Sequence, residues 1–279
     1  MWKKLLLTLV GFCLVALLGL NLWGAITLGT TTPDPDAERS ASANQVAMVF
    51  GATGSVGDGL LKAVIEDDEV DTIYAVTRRL SPRLKAGQAS GRVTVIMQED
   101  FTDYSGLASQ LARVNTVLWG LGTTSIGMDA ELYRHIHEDF PVAFVKAWLD
   151  ARSEGPMAFH YVTGMGTGEE QRAQWARDKG RAERRIAELA QGSGLRTFGH
   201  RSGWIRPASE DERPAMAALA LLVSPGHLVI KGTDLGRAML EISARVNELG
   251  NGAVIDNRDA LKYAAAYRAY QANRAENSR

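Results

Sequence analysis

The stretch that most constrains this chain is Gln45–Gly57. Gln45-Val46-Ala47-Met48-Val49-Phe50 is a short apolar run bounded by polar residues, and it leads directly into Gly51-Ala52-Thr53-Gly54-Ser55-Val56-Gly57. Leu60, Leu61, Val64 and Ile65 then recur at helical spacing. A run of this length and apolarity reads as a buried parallel strand, and the glycines form a tight turn into the helix that follows. Such a turn brings backbone N–H groups close to the helix N-terminus, where the peptide dipoles favour negative charge. In the order strand, glycine-rich turn, helix, the segment predicts a dinucleotide diphosphate site and excludes an all-α or all-β fold.

The pattern repeats downstream. Thr72–Thr77 reads as a second strand and ends in Arg78-Arg79; Val93–Met97 reads as a third and leads to Glu99-Asp100-Phe101. Val114–Trp119 opens into Gly120-Leu121-Gly122-Thr123-Thr124, and Ala158–Thr163 and Leu195–Arg201 complete the series, with Val254–Asp256 as a last short strand. Strands alternating with helical segments predict an α/β fold, a doubly wound parallel sheet of Rossmann type, with its ligand at the C-terminal strand ends. An acid closing the second strand would bind the adenosine ribose 2′-OH of NAD, whereas arginine there accommodates a 2′-phosphate. Arg78 and Arg79 therefore favour NADP, with NAD the lesser alternative.

Residues 1–43 are a different material. After Lys3-Lys4 the chain runs without a charge from Leu5 to Leu28. As a helix rising about 1.5 Å per residue, that stretch crosses the roughly 30 Å hydrocarbon core of a bilayer. Trp23 stands where a signal-peptide cleavage site would need small residues, and Phe12 before Cys13 does not fit a lipoprotein signal. The expectation is a single transmembrane anchor over 1–29, a flexible linker over 30–43 marked by Pro33 and Pro35, and a main domain over 44–279. Two lysines on one flank place the N-terminus in the cytoplasm by the positive-inside rule.

The chain has 279 residues, 31 basic and 32 acidic, for a net charge of −1, and 46% are hydrophobic. That balance describes a folded globular protein and gives no electrostatic basis for nucleic-acid binding. Cys13 is the only cysteine, so no intrachain disulfide exists. His135 and His137, two apart on a helix, point to different faces and are expected on a solvated surface rather than on a shared metal. Ala215–Val223 is apolar but too short to span a membrane. It reads as a core or lid helix, or else as a membrane-contacting one. A helix capped by Thr233-Asp234 is expected to run to about Leu249.

Taken together, the Gly-Ala-Thr-Gly-Ser-Val-Gly turn, Arg78-Arg79 and Leu121-Gly122-Thr123-Thr124 give residues 45–260 a resemblance to the atypical short-chain dehydrogenase/reductases. The likeness points to the Tat-interacting-protein oxidoreductase branch, with NmrA-like proteins as relatives. It implies NADPH binding by Gly51, Thr53, Gly54, Ser55, Val56, Gly57, Arg78, Arg79, Asp100, Leu121, Gly122 and Thr123. It also implies catalytic roles for Thr163, in the place of the family's serine, and for Lys179, which would also bind the cofactor. The family's tyrosine falls at Trp175, four residues before Lys179. Indole nitrogen only donates a hydrogen bond and has no accessible ionised form, so the usual proton carrier is absent. Tyr161, His160 and His200 are the candidate substitutes. The resemblance therefore implies either a reductase with an unusual proton donor, acting on a small or lipid-soluble substrate, or a non-catalytic NADPH sensor that assembles protein partners.

Overall fold

In the computed structural model, residues 2–152, 154–208 and 212–277 are described. The strands are β1 (Val46–Phe50), β2 (Thr72–Thr77), β3 (Thr94–Met97), β4 (Thr116–Trp119), β5 (Met157–Val162), β6 (Leu195–Arg201), β7 (Trp204–Arg206), β8 (Val229–Lys231) and β9 (Ala253–Asp256). The helices are α1 (Trp2–Thr27), α2 (Ser55–Ile65), α3 (Pro82–Ala89), α4 (Ala108–Leu111), α5 (Ala130–Arg134), α6 (Phe140–Ala151), α7 (Gln174–Leu189), α8 (Pro214–Val223), α9 (Gly232–Ala244) and α10 (Asn257–Asn277). Seven strands form one sheet in the order β3-β2-β1-β4-β5-β6-β9, and every adjacent pair is parallel. The order reverses direction between β1 and β4. The remaining two strands, β7 and β8, pair separately.

Both faces of the sheet are covered, which is why its central strands are apolar along their whole length rather than alternating. Ala47 and Val49 face the layer of α2, α9 and α10, built on Leu60, Leu61, Leu235, Met239 and Tyr263. Met48 and Phe50 face an aromatic layer made with Trp119, Phe144, Trp148 and Phe159. Phe50 stacks on Trp119 with ring centroids 4.3 Å apart and meets Phe144 edge-on at 4.8 Å. Offset and edge-to-face pairs of this kind add about 0.5–1.5 kcal/mol each beyond burial.

Three expectations change. The 30–43 segment is tied down rather than free: Ser40 N–H donates to Ala244 O at 2.8 Å, Arg39 pairs with buried Glu241 at 2.6 Å, and Lys262 donates to Thr31 O at 2.6 Å. Composition signalled a linker, but these partners lie more than 200 residues away and leave no local trace. Helix α9 ends at Ala244 instead of Leu249. Helix α8 is not a core helix, because Leu219, Leu221 and Leu222 are exposed and only Ala220 is buried.

Helix α1 is 26 residues long and is long and apolar enough to cross a membrane. Two of its polar interruptions are absorbed locally, since the hydroxyls of Thr8 and Thr27 donate to the carbonyls of Lys4 and Trp23.

Candidate functional site

The glycine-rich turn connects β1 to α2 at the point where the strand order reverses. Gly51 has φ +76°, a region that only glycine occupies without strain, and an added Cβ would lie 2.5 Å from Gly120 C and O. A Cβ on Gly57 would lie 2.1 Å from Gly51 O, so α2 can approach the turn only with glycine at this position. Gly54 caps α2 with extended backbone and no side-chain cap. The N–H groups that open a helix have no intrahelical acceptor, so the first turn of α2 faces the cavity as a donor cluster.

Two cavities meet at this turn, sharing Gly54, Gly120, Leu121 and Gly122. The first, about 370 Å³, is walled by Gly51, Thr53, Thr77, Arg78, Arg79 and Phe101. Arg79 Nε lies 3.5 Å from the Thr53 hydroxyl. Neither Arg78 nor Arg79 forms an ion pair among the described residues, so their charge is available to the cavity. The second, about 330 Å³, is walled by Ser55, Val56, Thr123, His137, Thr163, Lys179 and Ile205. A larger cavity of about 710 Å³ lies near residues 34–41 and the N-terminal ends of β5 and β6, away from the glycine turn.

Lys179 is held one turn along α7 from Trp175. Its ammonium donates to Thr163 O at 2.6 Å, and burial pulls its pKa down from 10.5 to about 8, with Glu183 opposing. Thr163 lies beside it, but the single hydroxyl proton of Thr163 goes to Glu183 Oε1 at 2.8 Å. Glu183 is anchored in turn by Arg201 at 2.6 Å. The Trp175 ring packs near Gly164 and Gly166, within 3.9 Å of where their Cβ atoms would stand.

Not every expected residue arrives here. Asp100 does not line the crevice: its carboxylate accepts from the Thr102 N–H at 2.8 Å and hydroxyl at 2.6 Å, bonds that lower its pKa, while its neighbour Phe101 faces the cavity. Gly57 stands behind the turn rather than on its wall. The three substitutes for the missing phenol lie in the core. Tyr161 is 2% exposed and donates to His137 O at 2.6 Å, and burial raises its pKa well above 10. His160 and His200 bond each other at 2.9 Å and His160 bonds Ser243 at 2.8 Å, with both pKa values driven down by burial.

His137 is the functional candidate that sequence reasoning missed. A π-helical turn at His135–Asp139 rotates it inward, leaving it 1% exposed instead of on a solvated face. Its Nε2 sits 3.1 Å from Thr123 N, and burial together with the Lys179 charge lowers its pKa to about 3. His135 instead pairs with Asp139 at 2.9 Å. Glu183 was also missed, since a glutamate in a charged helix carries no signal that it will meet a threonine and an arginine from two strands.

The residues present fit a dinucleotide in the first cavity and across the turn: a glycine cradle for a diphosphate, donors at a helix N-terminus, and two arginines beside the end of β2. The chain has the Rossmann fold of the short-chain dehydrogenase/reductases. An oxidoreductase of that family from Burkholderia thailandensis superposes with a TM-score of 0.57 at 18% identity, covering 78% of this chain and 92% of its own. MoeE5, solved in complex with UDP-glucose and NAD, superposes with 0.56 at 18% identity, covering 76% and 75%.

No family model matches the sequence. Among curated proteins, the leucinostatins biosynthesis cluster protein T of Purpureocillium lilacinum is 28% identical over 144 residues, and the chain spans about half (51%) of its length and of this one. The mitochondrial protein fmp52 of Emericella nidulans is 27% identical over 172 residues, covering 61% of this chain and 70% of that protein.

Proposed function

We propose that this protein is a membrane-anchored, NADPH-dependent oxidoreductase that reduces a small, membrane-soluble carbonyl compound. The observation that carries the reading is Lys179, a cationic side chain held at the wall of the second cavity with its pKa lowered to about 8. Bound in this crevice, the dinucleotide would supply a hydride to the carbonyl carbon. The chain's own task is then to orient the partners and protonate the resulting oxyanion. The amides opening α2 hold the diphosphate, and Arg78 and Arg79 select the 2′-phosphate over a bare ribose. Gly122 and Thr123 form the floor under the reacting end, with His137 fixing Thr123 through its backbone.

Lys179 takes the proton-donating role that Trp175 cannot perform. An ammonium with a pKa near 8 holds its proton at neutral pH yet releases it to a stronger base. Helix α1 spans the bilayer in this reading, with Lys3 and Lys4 on the cytoplasmic side. The likeness of the Leu121–Thr124 turn to the Tat-interacting-protein branch supports the cofactor choice.

One observation favours a second reading. Thr163 commits its hydroxyl proton to Glu183, leaving no hydroxyl donor for a carbonyl oxygen, as a non-catalytic NADPH sensor would tolerate. NADPH oxidation by the full chain over a panel of aldehydes and ketones separates the two. A reductase turns over at least one of them and loses that turnover in Lys179→Met. Binding of NADPH with no turnover across the panel sustains the sensor.

A further inference from the structure

Helix α8 is apolar along its whole length, Pro-Ala-Met-Ala-Ala-Leu-Ala-Leu-Leu-Val, with no charge from Pro214 to Val223. A helix that is hydrophobic on all sides is ordinarily buried. This one is not: Met216, Leu219, Leu221 and Leu222 are 43%, 48%, 68% and 52% exposed. Something must cover that face, and its position beside α1 says what.

Asn21 lies inside the apolar run of α1, where an unpaired amide would cost several kcal/mol in hydrocarbon. Its side chain is fully engaged. Nδ2 donates to Leu222 O at 2.8 Å and to Leu17 O at 3.0 Å, and Oδ1 accepts from Gly226 N–H at 2.7 Å. Gly24, one turn on, lets the two backbones close, because a Cβ there would stand 2.1 Å from Gly226 O. The C-terminal end of α8 is thus pinned to α1 at a residue six positions before the helix end at Thr27. At about 1.5 Å per residue, that point lies ~9 Å inside the spanning segment. An interfacial helix buries its apolar face about 5–10 Å into the headgroup and acyl boundary.

We propose that α8 is a second membrane contact: a non-spanning helix seated in the same leaflet that receives the C-terminal end of α1, with lipid acyl chains covering Leu219, Leu221 and Leu222. The proposal rests on α1 being a spanning helix and goes beyond it. It fixes the domain against the bilayer instead of leaving it on a tether.

The native Cys13, exposed midway along α1, provides an internal control. The full chain is labelled at Cys13 with an environment-sensitive fluorophore, and a Cys13→Ala background is labelled at Leu221→Cys or, as an aqueous reference, at Ile126→Cys in an exposed loop. All are reconstituted in phosphatidylcholine vesicles with 10% phosphatidylglycerol. The expected result is quenching at 221 by lipid carrying a nitroxide near the headgroup and protection there from aqueous iodide, by at least threefold relative to 126. Position 13 is quenched by nitroxide deep in the acyl chain. Lipid quenching at 13 with iodide access at 221 equal to that at 126 overturns the proposal while sparing the anchor. Loss of lipid quenching at 13 overturns both.

Discussion

Replacing Lys179 by methionine should stabilise the protein while abolishing its function, and pH should reveal why. The ammonium is surrounded by protein, and burial lowers its pKa from 10.5 to about 8. A lysine pKa that is lower in the folded state means that the unfolded chain binds the proton more tightly. Below pH 8 the group is charged in both states and its full desolvation cost opposes folding. Above 10.5 it is neutral in both and the cost disappears. A drop from 10.5 to about 8 corresponds to about 3 kcal/mol. Wild-type stability should therefore rise with pH between about 8 and 10.5. The lost hydrogen bond to Thr163 O is a separate, pH-independent term of about 1 kcal/mol. Urea unfolding of the detergent-solubilised full chain, at pH 7 to 10.5, measures both. Relative to wild type, Lys179→Met should lose stability steadily as pH climbs from 8 to 10.5. A stability difference that stays flat across that window would refute a desolvated ammonium at this site.

Other substitutions perturb the glycine turn, the arginine pair and the Trp175 site. Gly57→Val places a side chain into Gly51 O and should cost about 1–3 kcal/mol by thermal melting and eliminate cofactor binding, because α2 must move away from the turn. Arg78→Ala with Arg79→Ala should weaken NADPH binding roughly ten- to hundredfold and leave NADH within about twofold, as charge-assisted hydrogen bonds to a phosphate are worth about 1.5–3 kcal/mol. Asp100→Ala should leave both affinities unchanged, since that carboxylate serves its own turn. Trp175→Tyr, beside Lys179, should raise carbonyl turnover in a stopped assay, and no gain would place the proton source elsewhere.

What could be read in the sequence was local. The strand, glycine turn and helix at 45–65 are set by neighbours in the chain, and so were the other six strands of the main sheet, whose apolar runs reflect helices covering both faces. The crevice residues from Gly51 to Val56, Arg78, Arg79 and Leu121 to Thr123 follow from the same rule, since strand ends define the crevice. What depended on a local irregularity or on particular side-chain partners was hidden. His137 turns inward only because a π-helical turn adds a residue to its helix. Asp100 is drawn away by Thr102, and Phe101 takes the wall. Thr163 takes the serine's place in the sequence, and only the fold brings Glu183, twenty residues on, to accept its proton. The 30–43 segment has the composition of a linker and gains order from residues far along the chain that grip it: Thr116 of β4, Glu241 and Ala244 of α9, Arg245 and Glu248 just after it, and Lys262 of α10.

Cofactor binding depends on the glycine turn holding a dinucleotide diphosphate. Calorimetric titration of the detergent-solubilised full chain with NADPH and, separately, NADH measures that directly. Saturable heat with one NADPH bound per chain, and at least tenfold weaker binding of NADH, is the expected result. Absence of saturable heat with either nucleotide, from protein that still melts cooperatively, would contradict it.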